Sequence, residues 1–170
     1  MKSLISKLNE SLQTINEAKN LANEIENSSN YSGAANALNS VLTKLERSIK
    51  PNIIKKFISN TIGDIAGDLD KLTIQIYVDA FDAHLEFYRS VESQMENFWV
   101  EIGGNPKPSD IQNILDPDER YDEIESVFTG NYSSDVRQAE KDDIDTDEIF
   151  SRVNGLWGEF VEQYAKIEWM

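Results

Sequence analysis

The sequence predicts an all-α fold, a single-domain helical bundle of about five to six helices, because apolar residues recur at three- and four-residue steps through most of its length. The intervening stretches are rich in Gly, Pro, Asn and Ser, which end helices. With 170 residues, 39% of them hydrophobic, the chain can bury one real core. We therefore read residues 1–170 as one helical domain.

A first helix, about Ser3 to Asn27, carries Ile5, Leu8, Leu12, Ile15, Ala22 and Ile25 on one face. Asn27 to Gly33 reads as a turn, since short polar side chains compete for backbone hydrogen bonds and Gly reaches positive φ. A second helix aligns Leu38, Leu42, Leu45 and Ile49, and Pro51 then biases Lys50 toward extended dihedrals. A third, about Asn52 to Asp70, presents Ile54, Phe57, Ile58, Ile62, Ile65 and Leu69, with Gly63 and Gly67 as weak points.

Thr73 to Val78 alternates as a strand would, but leads directly into the clearest helical seam of the chain. That seam is Tyr77, Phe81, His84, Tyr88, Val91, Met95, Phe98 and Ile102, and it predicts one long heptad-patterned helix over about 71–102. Gly103, Gly104, Pro106 and Pro108 stop it, so 103–108 is a potential sub-boundary between a near-neutral N-terminal part and an acidic C-terminal part. Capping boxes at Ser109 to Gln112 and Asp116 to Glu119 predict two short helices, the second ending near Gly130. Asn131 to Asp147 is weakly patterned, either a solvated short helix or a loop ordered on binding. A second long heptad-patterned helix, about 147–168 with Asp145 or Thr146 as cap, aligns Phe150, Val153, Trp157, Phe160, Tyr164 and Ile167.

The formal net charge is -15, from 31 Asp/Glu against 16 Lys/Arg, a sign that opposes direct binding to nucleic acid or anionic lipid. The imbalance is concentrated: residues 110–148 hold 14 acidic and 3 basic side chains. Two helices that rich in carboxylates, side by side, approach the linear charge density of duplex DNA. Nucleic-acid mimicry is thus one reading of the segment and a solvated face that keeps the protein in solution is the other. Lys44, Arg47, Lys50, Lys55 and Lys56 form a small basic cluster around Pro51, suited to phosphate but better to the chain's own acidic half or to a second copy.

Specific chemistry finds little support. There is no cysteine, and His84 is the single histidine, placed on an apolar seam where packing or a structural hydrogen bond is the first expectation. A carboxylate-bridged di-iron bundle needs two Glu-x-x-His pairs, which the chain lacks. Asp143, Asp145 and Asp147 open like a calcium loop, but Glu148 stands where that loop needs Gly and Asn154 where it needs a bidentate Glu. No phosphate loop, nucleophile elbow or dinucleotide fingerprint occurs. We therefore expect no enzyme, no metal and no cofactor.

The function expected is that of an acidic helical binding protein, an inhibitor or immunity type that blocks a basic surface of a toxin, nuclease or nucleic-acid-binding enzyme. Candidate contact residues are Asp116, Asp118, Glu119, Tyr121, Asp122, Glu123, Glu125, Tyr132, Asp142, Asp143, Asp145 and Asp147, carboxylates interleaved with aromatic anchors. The alternative is a structural or assembly module that oligomerises through the two heptad seams. No apolar stretch approaches membrane-spanning length and no secretion signal follows Met1, so a cytoplasmic monomer or small homo-oligomer is expected.

Overall fold

A computed structural model describes the backbone of residues 31–63, 67–102 and 120–165, and the side chains of 39–63, 67–90 and 120–165. The helix expected over about Ser3 to Asn27, the break at 103–108 and both capping boxes lie outside these residues. Among the described residues there are six helices and no strand: α1 (Tyr31–Ser48), α2 (Pro51–Ile62), α3 (Lys71–Ile102), α4 (Tyr121–Asn131), α5 (Ser133–Lys141) and α6 (Thr146–Ala165).

Local chemistry sets the boundaries. Helix α1 is described from Tyr31, so Tyr31 to Gly33 of the stretch read as a turn are helical. Lys50 is extended (φ −137°, ψ 148°) ahead of Pro51, which occupies the first turn of α2, where its missing N–H removes no bond. Helix α2 ends at Ile62, short of the Asp70 expected, because Gly63 takes φ 88° and donates its N–H to Ser59 O at 3.1 Å. Asp70 instead starts the next helix: its Oδ1 accepts the Thr73 N–H at 2.6 Å, and that bond is the main reason its carboxyl titrates below the usual range. The alternating stretch at Thr73 to Val78 is helical, as the longer period requires.

Helix α3 is 32 residues, so about 48 Å long at helical rise, and every other described helix packs against it. Tyr77, Phe81, His84 and Tyr88 of its seam are buried, as are Phe150, Val153, Trp157 and Phe160 of α6. Their rings form a continuous path. Phe57 of α2 meets Phe81 and Phe160 edge-on at 6.2 and 5.5 Å, and Phe81 lies 4.6 Å from Phe160. Trp157 stacks on His84 and Tyr88 at 5.1 and 5.8 Å. Phe150 carries the path to Phe128 and Tyr121 of α4 at 5.3 and 5.0 Å. Such aromatic pairs add roughly 0.5–1.5 kcal/mol each beyond the area they bury. Side chains from both sides of 103–108 therefore share one core.

Candidate functional site

Helices α4, α5 and the start of α6 carry the described part of the acidic segment. Each is anchored by a few apolar residues: Ile124 and Phe128 on α4, Val136 and Ala139 on α5, Ile149 and Phe150 on α6. The stretch Asn131 to Asp147, weakly patterned in sequence, is α5 followed by a tight turn. Among the twelve candidate contact residues, Asp122, Glu123, Asp142, Asp143, Asp145 and Asp147 are exposed and Glu125 is half-buried. Asp116, Asp118 and Glu119 lie outside the described residues.

The two aromatic candidates are committed internally. Tyr121 is half-buried against Phe150, with its hydroxyl 3.2 Å from Ser151 Oγ. Tyr132 donates its hydroxyl to Glu86 Oε1 at 3.0 Å, and Asn131 donates to the other oxygen of the same carboxylate. Burial, then the charges of Asp82 and Glu86 and the bond to Glu86, push the Tyr132 hydroxyl well above its usual range.

Helix electrostatics divide the carboxylates of these helices into two groups. Asp122 and Glu123 on α4, Asp135 on α5, and Asp147 and Glu148 on α6 sit in first turns, where a negative charge is stabilising by roughly 0.3–1 kcal/mol. Asp145 caps α6 by accepting the Glu148 N–H at 2.9 Å. Glu123 pairs with Arg120 at 2.6 Å and Glu148 with Arg152 at 2.5 Å. Glu140, Asp142 and Asp143 are different: they crowd the C-terminal end of α5, where the dipole disfavours negative charge and Lys141 is the one cation in the last turn.

The turn after α5 makes that placement sharper. Ile144 N–H reaches back to Ala139 O at 2.9 Å and Asp143 N–H to Glu140 O at 3.3 Å, the paired bonds of a glycine-type helix stop. Asp143 fills the left-handed position of that stop with φ 57°, where glycine carries no Cβ penalty. Helix geometry would be better served by another residue.

A second set of carboxyls escaped the sequence reading. Gln75, Asp79, Asp82 and Glu86 step 4, 3, 4 along α3, a polar stripe running beside the apolar seam at Tyr77, Phe81, His84 and Tyr88. The spacing was legible, but the apolar pattern masks it. Asp79 is only 2% exposed, and its Oδ1 accepts from Gln75 Nε2 at 2.8 Å. Burial, opposed by the Gln75 bond and reinforced by Asp135 and Asp82, pushes its carboxyl up to about 7. Burial, then the charges of Glu86 and Glu46, raises half-buried Asp82 to about 6. Among the described residues, no group of three or more His, Cys, Asp or Glu side chains has a geometry able to hold a metal ion.

His84 is fully buried, with Nδ1–H donating to Ala80 O at 2.8 Å and Nε2 3.4 Å from the Asn154 carboxamide. Burial outweighs both contacts and lowers its titration to about 4, so the ring is neutral at physiological pH. A neutral ring protonated on Nδ1 takes a donor at Nε2, which the Asn154 NH₂ supplies when turned toward it. The basic cluster at Lys44, Arg47, Lys50, Lys55 and Lys56 takes no part in the three ion pairs found among the described residues, which are Arg89–Glu46, Arg120–Glu123 and Arg152–Glu148. No described helix is long and apolar enough to cross a membrane. Compared with protein-family models, curated proteins and solved structures, the chain matches none.

Proposed function

We propose that this chain is a non-enzymatic binding protein whose acidic α4–α6 surface, centred on the turn after α5, occupies a basic surface of another protein. The partner class is the kind of toxin, nuclease or nucleic-acid-binding enzyme that presents cations to phosphate, and inhibition by nucleic-acid mimicry is the mode we favour. The observation that carries the reading is the placement of Glu140, Asp142 and Asp143. They oppose the α5 dipole, Asp143 holds a glycine position, and the one side-chain bond found among the three, from Gln138 Nε2 to Asp142 Oδ1 at 3.3 Å, is long and exposed, so local stability accounts for little of their placement. Carboxylates held on packed helices also need less ordering on association than a disordered acidic tail, which favours affinity.

The alternative, assembly through the two apolar seams, draws less support from the described part of those seams, since Tyr77, Phe81, His84 and Tyr88 and their α6 counterparts are already consumed by the chain's own core. The test compares immobilised wild type with a variant carrying Glu140→Gln, Asp142→Asn and Asp143→Gly. Wild type is expected to retain a basic protein at low salt and release it at moderate salt, and the purified partner should lose nucleic-acid binding on titration with wild type. Equal retention by the variant, or retention of no basic protein by wild type, refutes the proposal. Light scattering that finds one large defined assembly would put the assembly reading first.

A further inference from the structure

Asp79 poses a problem that the fold alone does not solve. Its Oδ1 is satisfied by Gln75, but its Oδ2 is buried and has no hydrogen-bond donor in reach. What faces it from α5 is the half-buried carboxyl of Asp135, close enough for a hydrogen bond only if one of the two carries a proton. Two carboxylates in contact repel, whereas a carboxylic acid donating to a carboxylate forms a strong charge-assisted bond.

The surroundings offer no other remedy. On α3 the neighbours are Asp82 and Glu86, both acidic. Where α4 meets α5, Tyr132 and Asn131 are spent on Glu86. From α1 the facing group is Glu46, which acts on Asp82 and is itself held by Arg89. On α6, Arg152 is engaged by Glu148 and Tyr77, and neither it nor Lys55 and Lys56 of α2 is among the groups that act on Asp79. Gln75 is the single described group that favours an ionised Asp79.

We propose that Asp79 and Asp135 share one proton across the α3–α5 contact, and that this proton is a latch which frees α5 and its acidic turn as the pH rises toward neutrality.

The linkage runs in one direction. The closed form holds the proton up to about pH 7, while an opened, solvated Asp79 returns to an ordinary carboxyl near 3.8. Between those limits each unit of rising pH favours the open form by about ten-fold, and above pH 7 the effect levels off. Helix α5 suits such a release because it is 9 residues long and contributes only Val136 and Ala139 to the fully buried core. Proposed partner binding and this latch are separable, since the latch is read on the isolated chain.

Hydrogen exchange, corrected for intrinsic rates, tests the idea at a series of pH values from about 5 to about 8. The Val136 and Ala139 amides are expected to be less protected than those of Phe81 and Val153, and their protection should fall about ten-fold per unit up to about pH 7. Asp79→Asn, which keeps the Gln75 acceptor and donates an N–H to Asp135, should abolish that slope and hold α5 closed at pH 7. Asp135→Asn should flatten it as well, because the amide then donates to an ionised Asp79. Flattening by Asp79→Asn alone would mean a merely buried acid and overturn the shared proton. Protection of α5 equal to that of the core would overturn the latch. So would restoration of wild-type protection at high pH by millimolar calcium or magnesium chloride, which would make the shared species a metal ion.

Discussion

His84→Phe should reverse its effect on stability between neutral and acid pH. The phenyl ring keeps the stacking on Trp157 and the contact with Phe150, but it loses the bond to Ala80 O and leaves Asn154 without its ring partner. At pH 7 the variant should be less stable by about 1 kcal/mol, the usual net worth of a hydrogen bond. In wild type the imidazole is held down to about 4 in the fold and returns to 6.5 on unfolding, so the unfolded chain takes up one more proton across that window. Folded stability is therefore complete above pH 6.5 and is lost as the pH falls, by about 2 kcal/mol at pH 5 and about 3 kcal/mol at pH 4. A phenyl ring does not titrate and has no such term, so the variant should become the more stable protein near pH 4. The quantity to measure is the difference between wild-type and variant urea midpoints at each pH. Absolute profiles will not serve, because raised Asp79 and Asp82 push the other way over much of the same range. Parallel profiles from pH 7 to pH 4 would refute the assignment of His84 as a buried, neutral, structural residue.

Two further substitutions separate stability from recognition on the acidic surface. Asp143→Gly should raise the unfolding free energy by about 0.5–1 kcal/mol in denaturant melts, since glycine relieves the φ of 57° and one charge leaves the end of α5; the same variant should hold a basic partner less tightly in a salt titration. Asp145→Ala should do the opposite to the fold, removing about 1 kcal/mol with the cap on Glu148 N–H, visible as a lower melting temperature.

Helix positions and the core were legible because they rest on periodicity and on backbone chemistry. The 4, 3, 4 stepping of Tyr77, Phe81, His84 and Tyr88 marks a buried face of α3, and Pro51 marks the start of α2. Reading α2 on to Asp70 failed for a reason that apolar spacing cannot carry: Ile65 and Leu69 continue the period, but Gly63 reaches a dihedral that ends the helix before them. The acidic surface was legible as composition, and Asp145 as one of two candidate caps of the last helix, a cap it makes on the Glu148 N–H. Which carboxylates oppose a helix, as Asp142 and Asp143 do, depends on where α5 stops, and the weak pattern of Asn131 to Asp147 did not give that.

The tyrosines and Asp79 carry what spacing alone does not show. Tyr121 and Tyr132 read as aromatic anchors among carboxylates, and their rings and hydroxyls are engaged in the α4–α6 and α3–α4 contacts. Asp79, masked in the sequence by the apolar seam beside it, is 2% exposed. Solubility accounts for carboxylates on an exposed face, and helix dipoles account for those in first turns. Neither accounts for Asp79, because an acid that keeps its proton to about pH 7 adds no charge to the surface below that pH and burdens the fold above it. A shared proton with Asp135 gives that residue a role in holding α5, and therefore couples the interior of α3 to the acidic turn that follows Lys141.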